Sequence, residues 1–221
     1  MDFMKILRSL EDFLYEVMTW LVFYPKTLWA ILTAPIATLR YSDEQQGLPE
    51  EQQYLRTLNP ILFLMLSLLL VHGVELAARS QAPGYSALPA FAQSESNLLI
   101  IRSLFFSAFP LSFALLLLGR TGQPIARNTL RGPFLAQCYT AAVFATLVGL
   151  GTNGALLQDE RLRPAGGLLI LLAAVWYLAV QSLWLSLELS VSRLTGFGLT
   201  VWATLRAAVG FVLAALILSA F

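Results

Sequence analysis

Five long apolar segments limit what this chain can fold into. They cover residues 61–78, 98–118, 134–157, 165–187 and 199–221. Each is long enough to cross the hydrocarbon core of a bilayer, which takes about 20 residues of α-helix. A lipid-exposed segment must also satisfy its own backbone hydrogen bonds, as a helix does. The pattern therefore predicts an all-α, polytopic membrane protein with five transmembrane helices.

The composition excludes several classes of function. Hydrophobic residues make up 57% of the chain and charged residues 12%, whereas soluble domains carry about 25% charged residues. The net charge of +1 provides no strongly basic surface for nucleic acid. One cysteine, Cys138, and one histidine, His72, are too few for a disulfide framework or a Cys- or His-rich metal centre. Zinc-protease, Walker and dinucleotide motifs are absent from the sequence, so we expect no catalytic residue, metal or cofactor.

The first 39 residues have the pattern of amphipathic interfacial helices. In residues 1–24 apolar side chains recur at three- and four-residue spacing, and acids and bases occupy the opposite face. Such a helix lies in the membrane interface and docks on lipid or on a protein; its candidate docking residues are Phe3, Leu10, Phe13, Leu14 and Val17. Pro25 suits the first turn of a second short helix, which Pro35 interrupts. The alternative is that residues 15–39 cross the membrane, which would bury Glu16 and Lys26.

Residues 40–59 are polar and acidic and are interpreted as a cytosolic linker. With the N-terminus inside, nine basic residues fall on the inner side and three on the outer side. This bias favours a cytoplasmic N-terminus and a periplasmic C-terminus. The charged N-terminal residues do not form a cleavable signal peptide. Arginine outnumbers lysine twelve to two, which points to a GC-rich bacterial genome and so to a bacterial inner membrane.

Four ionisable residues within the apolar segments are candidates for an ion pair or a relay. His72 and Glu75 share one face of the first segment, and Arg102 lies at matching depth on the second. We expect Glu75 and Arg102 to lie within about 4 Å of each other. They form either a structural ion pair or, with His72, a proton or ion relay.

Arg206 lies within the fifth segment, with no acid nearby in the sequence. Gln181, Glu188 and backbone carbonyls are its candidate partners. It binds a substrate anion or lipid headgroup, or it snorkels inward, or it ties the fourth and fifth segments together.

Small residues line two of the segments at helical spacing. They are Ala141, Ala145 and Gly149 in the third segment, and Ala203, Ala207, Gly210 and Ala214 in the fifth. Small side chains let membrane helices approach closely. They indicate packing within the bundle or, alternatively, association with a second copy or a partner.

The stretch YPKTLWAILTAPIATLRY, followed by a linker and five closely spaced segments, resembles the entry to the bacterial members of the Yip-domain family. Eukaryotic members of that family are Rab-interacting membrane proteins. The resemblance covers residues 22–221 and implies a non-enzymatic membrane protein that works through partners or lipids. It assigns no functional residue.

Two functional hypotheses follow. The first is an accessory or scaffolding subunit of a membrane complex, in contact with lipid and with a protein partner through the N-terminal helix or the bundle. The alternative is a small permease or channel that uses Glu75, His72 and Arg206 and works as a homo-oligomer, because five spans enclose little volume.

Overall fold

A computed structural model describes residues 3–78, 95–157 and 162–219 of the chain. Within these ranges the chain forms seven α-helices and no strand, which confirms the all-α prediction. The helices are α1 (Phe3–Thr33), α2 (Pro35–Gln45), α3 (Pro60–Ala78), α4 (Glu95–Thr121), α5 (Arg127–Leu156), α6 (Leu162–Glu188) and α7 (Arg193–Ser219). The side chains of Phe3 and Ala214 lie outside the described part, as do most residues of the predicted loop 79–97.

Helices α3 to α7 are long and apolar enough to cross a membrane, which confirms the five predicted spans. All but α3 extend beyond the apolar segment on at least one side, because polar residues at the interface continue the helical hydrogen bonding. Helices α1 and α2 pass the same test of length and hydropathy only as a bent pair. The chain thus has the architecture of a multi-pass membrane protein.

Helix α5 is the centre of the bundle. It packs against α3, α4 and α6, and α7 packs against α4 and α6. About 72% of the spanning segment of α5 is buried, against 28–39% in the other four spans. Its small-residue face makes this possible: Ala141 and Ala145 are buried, and Gly149 lies against Val71 of α3.

The C-terminal end of α5 and the N-terminal end of α6 cross at backbone contact. A Cβ atom added at Gly166 of α6 would lie 2.5 Å from the carbonyl oxygen of Gly151 and would also collide with the amide nitrogen of Ala155. Only glycine permits an approach this close. Gly167, the next residue, faces away, and a Cβ atom added there would have nothing within 4 Å.

Aromatic rings fill the space between α4, α5 and α6. Phe109 of α4 meets Phe144 of α5 at 5.6 Å between ring centroids and Tyr177 of α6 at 5.9 Å, both edge-on. Phe144 stacks on Tyr177 at 4.6 Å. These geometries are the favourable ones for aromatic pairs, so the interior between these three helices is packed with side chains.

Helix α1 continues through Pro25 to Thr33, so the prediction that Pro25 begins a second helix is wrong. Proline removes one hydrogen bond, to the carbonyl of Leu21, but one lost bond does not end a helix that is otherwise well packed. The break comes at Ala34. There the axis turns by 119°, and Pro35 takes the first position of α2, which its fixed φ angle favours.

The predicted acidic linker is more ordered than a loose connection. Residues 40–45 complete α2, and Tyr54 and Leu58 are buried. The amide of Tyr54 donates to Oε1 of Gln45 at 2.8 Å. The segment is therefore hydrogen-bonded to α2 and packed against the bundle before it enters α3.

Candidate functional site

Glu75 and Arg102 form the predicted ion pair between α3 and α4. Nη2 of Arg102 lies 2.7 Å from Oε2 of Glu75. Glu75 is fully buried, and 18% of the Arg102 side chain is exposed. Glu75 lies about 22 Å along α3 from Pro60, near the C-terminal end of the helix. The pair neutralises a carboxylate that would otherwise be costly inside a membrane.

His72 extends this pair to three residues. Its Nδ1 lies 3.8 Å from Oε2 of Glu75, one helical turn away, and 13% of its side chain is exposed. That distance is too long for a hydrogen bond. The three side chains thus form one cluster near the C-terminal end of α3, and the relay that they would form stays a hypothesis.

Arg206 is bound to α4, not to the predicted partners Gln181 and Glu188 of α6. Its Nε donates to Oγ of Ser112 at 3.1 Å, and its Nη2 donates to the carbonyl of the same residue. The Ser112 hydroxyl in turn donates to the carbonyl of Ala203 at 2.7 Å. The prediction of a partner on α6 is wrong because α7 turns this face toward α4, and sequence spacing carries no signal for that choice. A backbone carbonyl, the third candidate, is an acceptor, but the helices that Arg206 joins are α4 and α7 and not the predicted α6 and α7.

Gln181 belongs instead to a buried polar cluster between α5 and α6. Its Nε2 donates to Oε1 of Gln137 at 2.5 Å and to Oγ1 of Thr140 at 3.0 Å. Thr140 donates to the carbonyl of Gln137 at 3.0 Å. All three residues are buried. Sequence analysis missed this cluster because it singled out ionisable residues within the spans, and the side chains of Gln137, Thr140 and Gln181 are uncharged.

We expect Gln181→Leu to lower the free energy of unfolding by about 1–2 kcal/mol, because it leaves the buried Gln137 amide without this partner. The double variant Gln137→Leu/Gln181→Leu should lose less than the two single variants together. Denaturation in mixed micelles measures both effects. Gln123→Leu, at an exposed position, is the matched control and should change little. Additive losses in the double variant would contradict the cluster.

The N-terminal helix has an exposed half, residues 4–16, and an anchored half, which follows it. In the exposed half, Leu10, Phe13 and Leu14 are 50–57% exposed, and every residue described from Met4 to Glu16 is exposed. Val17 is partly buried. The predicted docking residues in the described part thus remain available for contact.

The anchored half is fixed by side-chain hydrogen bonds. The Tyr24 hydroxyl bonds to Oγ of Ser67 at 3.1 Å, and the amide of Leu58 donates to Oγ1 of Thr27 at 3.0 Å. The Leu58 carbonyl accepts from the Tyr139 hydroxyl of α5 at 2.6 Å. Leu58 therefore joins α1 to the central helix of the bundle, and we call this connection the Thr27–Leu58–Tyr139 clamp.

The small residues of α7 differ in exposure. Ala203 and Ala207 are buried, and the carbonyl of Ala203 accepts a hydrogen bond from Ser112. Gly210 lies seven residues after Ala203 and so on the same side of the helix, but it is exposed, and a Cβ atom added to it would have nothing within 4 Å. Of its two predicted roles, packing within the bundle is therefore wrong, and association with a second copy or a partner stays a prediction.

Asp43 lies where α2 meets α6. Desolvation and the negative charges of Glu188 and Glu44 raise the pKa of its carboxyl to about 7. Three carboxyl groups are thus close together at this junction, and their mutual repulsion favours the protonated form of Asp43.

The part of the chain that the structure describes contains no cluster of three His, Cys, Asp or Glu residues able to hold a metal ion. No protein-family model, no curated protein and no solved structure matches the chain. The resemblance to the Yip-domain family therefore stays a prediction. Function has to be argued from the geometry of this chain alone.

Proposed function

We propose that the chain is a non-enzymatic membrane protein that acts as an accessory or scaffolding subunit. The exposed half of α1 is its docking element. The observation that carries the proposal is the division of α1. Its second half is bonded to the bundle through Tyr24 and Thr27, whereas residues 4–16 are exposed on every described side.

The chemistry of the exposed half of α1 supports a protein partner. An apolar stripe containing Leu10, Phe13 and Leu14 is exposed on a helix whose other face is charged. Contiguous exposed apolar surface of this kind marks an interaction site. Residues 1–24 carry two basic and four acidic residues, and this net negative charge disfavours attachment to anionic lipid. Burial of the apolar stripe would supply about 25 cal/mol per Å² of binding energy.

The interior also supports a scaffolding role. The buried Glu75 carboxylate faces Arg102, and the Gln137–Thr140–Gln181 cluster is neutral and hydrogen-bonded. Both arrangements stabilise helix contacts. The alternative, a permease or channel, is supported by the His72–Glu75–Arg102 cluster. It would have to use Arg206 at a contact between subunits, because Arg206 is exposed on α7.

The proposed setting is a bacterial inner membrane, with the N-terminus in the cytoplasm and the C-terminus in the periplasm. The bias of nine inner to three outer basic residues supports this orientation. The Yip-like character is part of the proposal and is supported by the order of the elements: a proline-broken helical entry, an acidic segment and five spans.

The test replaces Leu10 and Leu14 with aspartate. We expect a partner that co-purifies with the wild-type chain at fixed stoichiometry to be lost, because two charges interrupt the apolar stripe. Reporters fused within residues 121–130 and after Phe221 should still report cytoplasmic and periplasmic locations, which shows that the five spans insert.

The matched control is Arg8→Gln/Ser9→Asp. It changes the net charge by the same amount but on the polar face, so the partner should remain bound. A Leu10→Asp/Leu14→Asp variant that keeps its partner at full stoichiometry would contradict the proposed docking element.

A further inference from the structure

The anchored half of α1 runs antiparallel to α3 where the two helices touch. Thr27 accepts a hydrogen bond from the amide of Leu58, which precedes α3. Tyr24, three residues nearer the N-terminus, bonds to Ser67 within α3 at 3.1 Å, and its ring lies 5.1 Å from that of Phe63. The N-terminal direction along α1 therefore corresponds to the C-terminal direction along α3.

The side of α1 that meets the bundle continues into the exposed half as a seam. Its members have the alternating three- and four-residue spacing of a coiled coil. They are Leu10, Phe13, Val17, Trp20, Tyr24 and Thr27. The last two bond to the bundle, and Trp20 packs against the core. The seam thus extends the contact between α1 and the bundle by two further turns that the bundle does not cover.

The side of α3 that meets Tyr24 continues in the same direction. Leu70 and Val74 lie three and seven residues after Ser67, and so on the same side of α3. They are 52% and 43% exposed, whereas Ser67 is fully buried. Both belong to a candidate membrane span. Beyond Tyr24, α3 therefore presents apolar side chains at membrane depth on the side from which α1 approaches.

The two uncovered surfaces are the walls of an open cleft. One wall is Leu10 and Phe13 of α1, which are 51% and 57% exposed, and the other is Leu70 and Val74 of α3. We call the space between these four residues the α1–α3 cleft. It begins where the hydrogen bond of Tyr24 ends the direct contact of the two helices.

We infer that the α1–α3 cleft holds an apolar helix of the partner, with a lysine or arginine opposite Glu16. The seam spacing favours a helix, because side chains at this spacing fit between those of a second helix, whereas an acyl chain needs no such repeat. Glu16 immediately precedes the seam residue Val17 and is exposed. Charges beside a seam pair with the facing helix and select the partner.

The charge of Glu16 also disfavours the other occupants. A lipid phosphate has the same sign and would be repelled, and a second copy of α1 in parallel register would place two Glu16 carboxylates together. The inference rests on the proposed function, since the docking element is one wall of the cleft. It adds α3 as the second wall and a basic residue as the feature that selects the partner.

The test uses the full chain in phosphatidylcholine nanodiscs at pH 7.5. The probes are two labelled synthetic helices of about 24 residues, long enough for a membrane, with leucine at the seam positions and one lysine or one glutamate beside the seam. Fluorescence anisotropy measures binding. We expect the wild-type chain to bind the lysine peptide about tenfold more tightly than the glutamate peptide. Glu16→Lys should reverse this preference, because it exchanges the sign of the selecting charge.

The second wall is tested with a bulky ring. Leu70→Trp should weaken binding of the lysine peptide about tenfold, because the indole occupies the space of the bound helix. Met65→Trp is the matched control. Met65 is 55% exposed but lies two residues before Ser67, and so on another side of α3; its variant should bind the peptide as the wild type does and shows that α3 tolerates the ring.

Three outcomes would overturn the inference. They are equal binding of the two peptides by the wild-type chain, an unreversed preference in Glu16→Lys, and release of the peptide when a second copy of the chain is added to the nanodisc.

Two variants separate this inference from the proposed function. If Leu70→Trp binds the lysine peptide like Met65→Trp while Leu10→Asp/Leu14→Asp loses it, the peptide docks on α1 alone; the cleft is refuted and the proposed docking element stands. If Leu10→Asp/Leu14→Asp binds the peptide as the wild type does, α1 is not the docking element, and the proposed function fails together with the inference.

Discussion

Replacing Arg102 with leucine is expected to lower the free energy of unfolding by about 3 kcal/mol, because it removes the guanidinium that is paired with a buried carboxylate. Glu75 is fully buried, and Oε2 lies 2.7 Å from the guanidinium that the variant removes. Titration with a denaturing detergent in mixed micelles measures the loss. The effect should be larger than that of any single substitution of an exposed arginine.

Two controls distinguish the ion pair from a general effect of losing a positive charge. Arg56→Leu, at an exposed position of the segment before α3, should change stability by less than about 0.5 kcal/mol. The double variant Glu75→Leu/Arg102→Leu should recover most of the loss, because a buried ion pair can be replaced by apolar residues at little cost. If Arg102→Leu is as stable as Arg56→Leu, Glu75 does not depend on this partner.

Gly166→Ala is expected to destabilise the bundle by about 3 kcal/mol, the upper end of the range for overpacking. The added Cβ would meet backbone atoms of α5, with the Gly151 carbonyl oxygen at 2.5 Å. Backbone atoms cannot move aside as a flexible side chain does, so the C-terminal end of α5 and the N-terminal end of α6 have to separate. The same detergent titration measures this effect.

Gly167→Ala is the matched control, one residue further along the same helix. The Cβ that it introduces would have no atom within 4 Å, so the substitution should be neutral or slightly stabilising, as alanine favours the helix over glycine. Equal effects of the two substitutions on the free energy of unfolding would mean that the added Cβ at position 166 is accommodated as easily as the one at position 167, and the close crossing of α5 and α6 would be refuted.

The sequence predicts those features that depend on local order along the chain. Five spans follow from five apolar segments of sufficient length, and the Glu75–Arg102 pair follows from matching depth on two consecutive helices. Consecutive spans run antiparallel and are joined by a short connection, so equal depth brings their side chains close. Neither prediction requires knowing which helices far apart in the sequence are neighbours in the bundle.

Features that depend on the packing of distant helices could not be predicted from the sequence. Ser112 and Arg206 are 94 residues apart, and no local pattern indicates that α4 and α7 meet. Gln137 and Gln181 are uncharged and leave both spans strongly apolar. The continuation of α1 through Pro25 depends on the contacts of Tyr24 and Thr27, which outweigh one missing backbone bond.

The Thr27–Leu58–Tyr139 clamp anchors one end of α1, so the preceding part of the helix projects a fixed distance from the bundle. A continuous helix extends about 1.5 Å per residue, so Leu14 and Leu10 lie about 20 and 26 Å along the axis from Thr27. Each residue added to or removed from α1 between Val17 and Phe23 would change this distance only slightly. It would, however, rotate the apolar stripe by about 100° around the axis. The spacing between clamp and stripe therefore sets the direction in which a bound partner is presented to the bundle, and the length of α1 is as much a determinant of assembly as its composition.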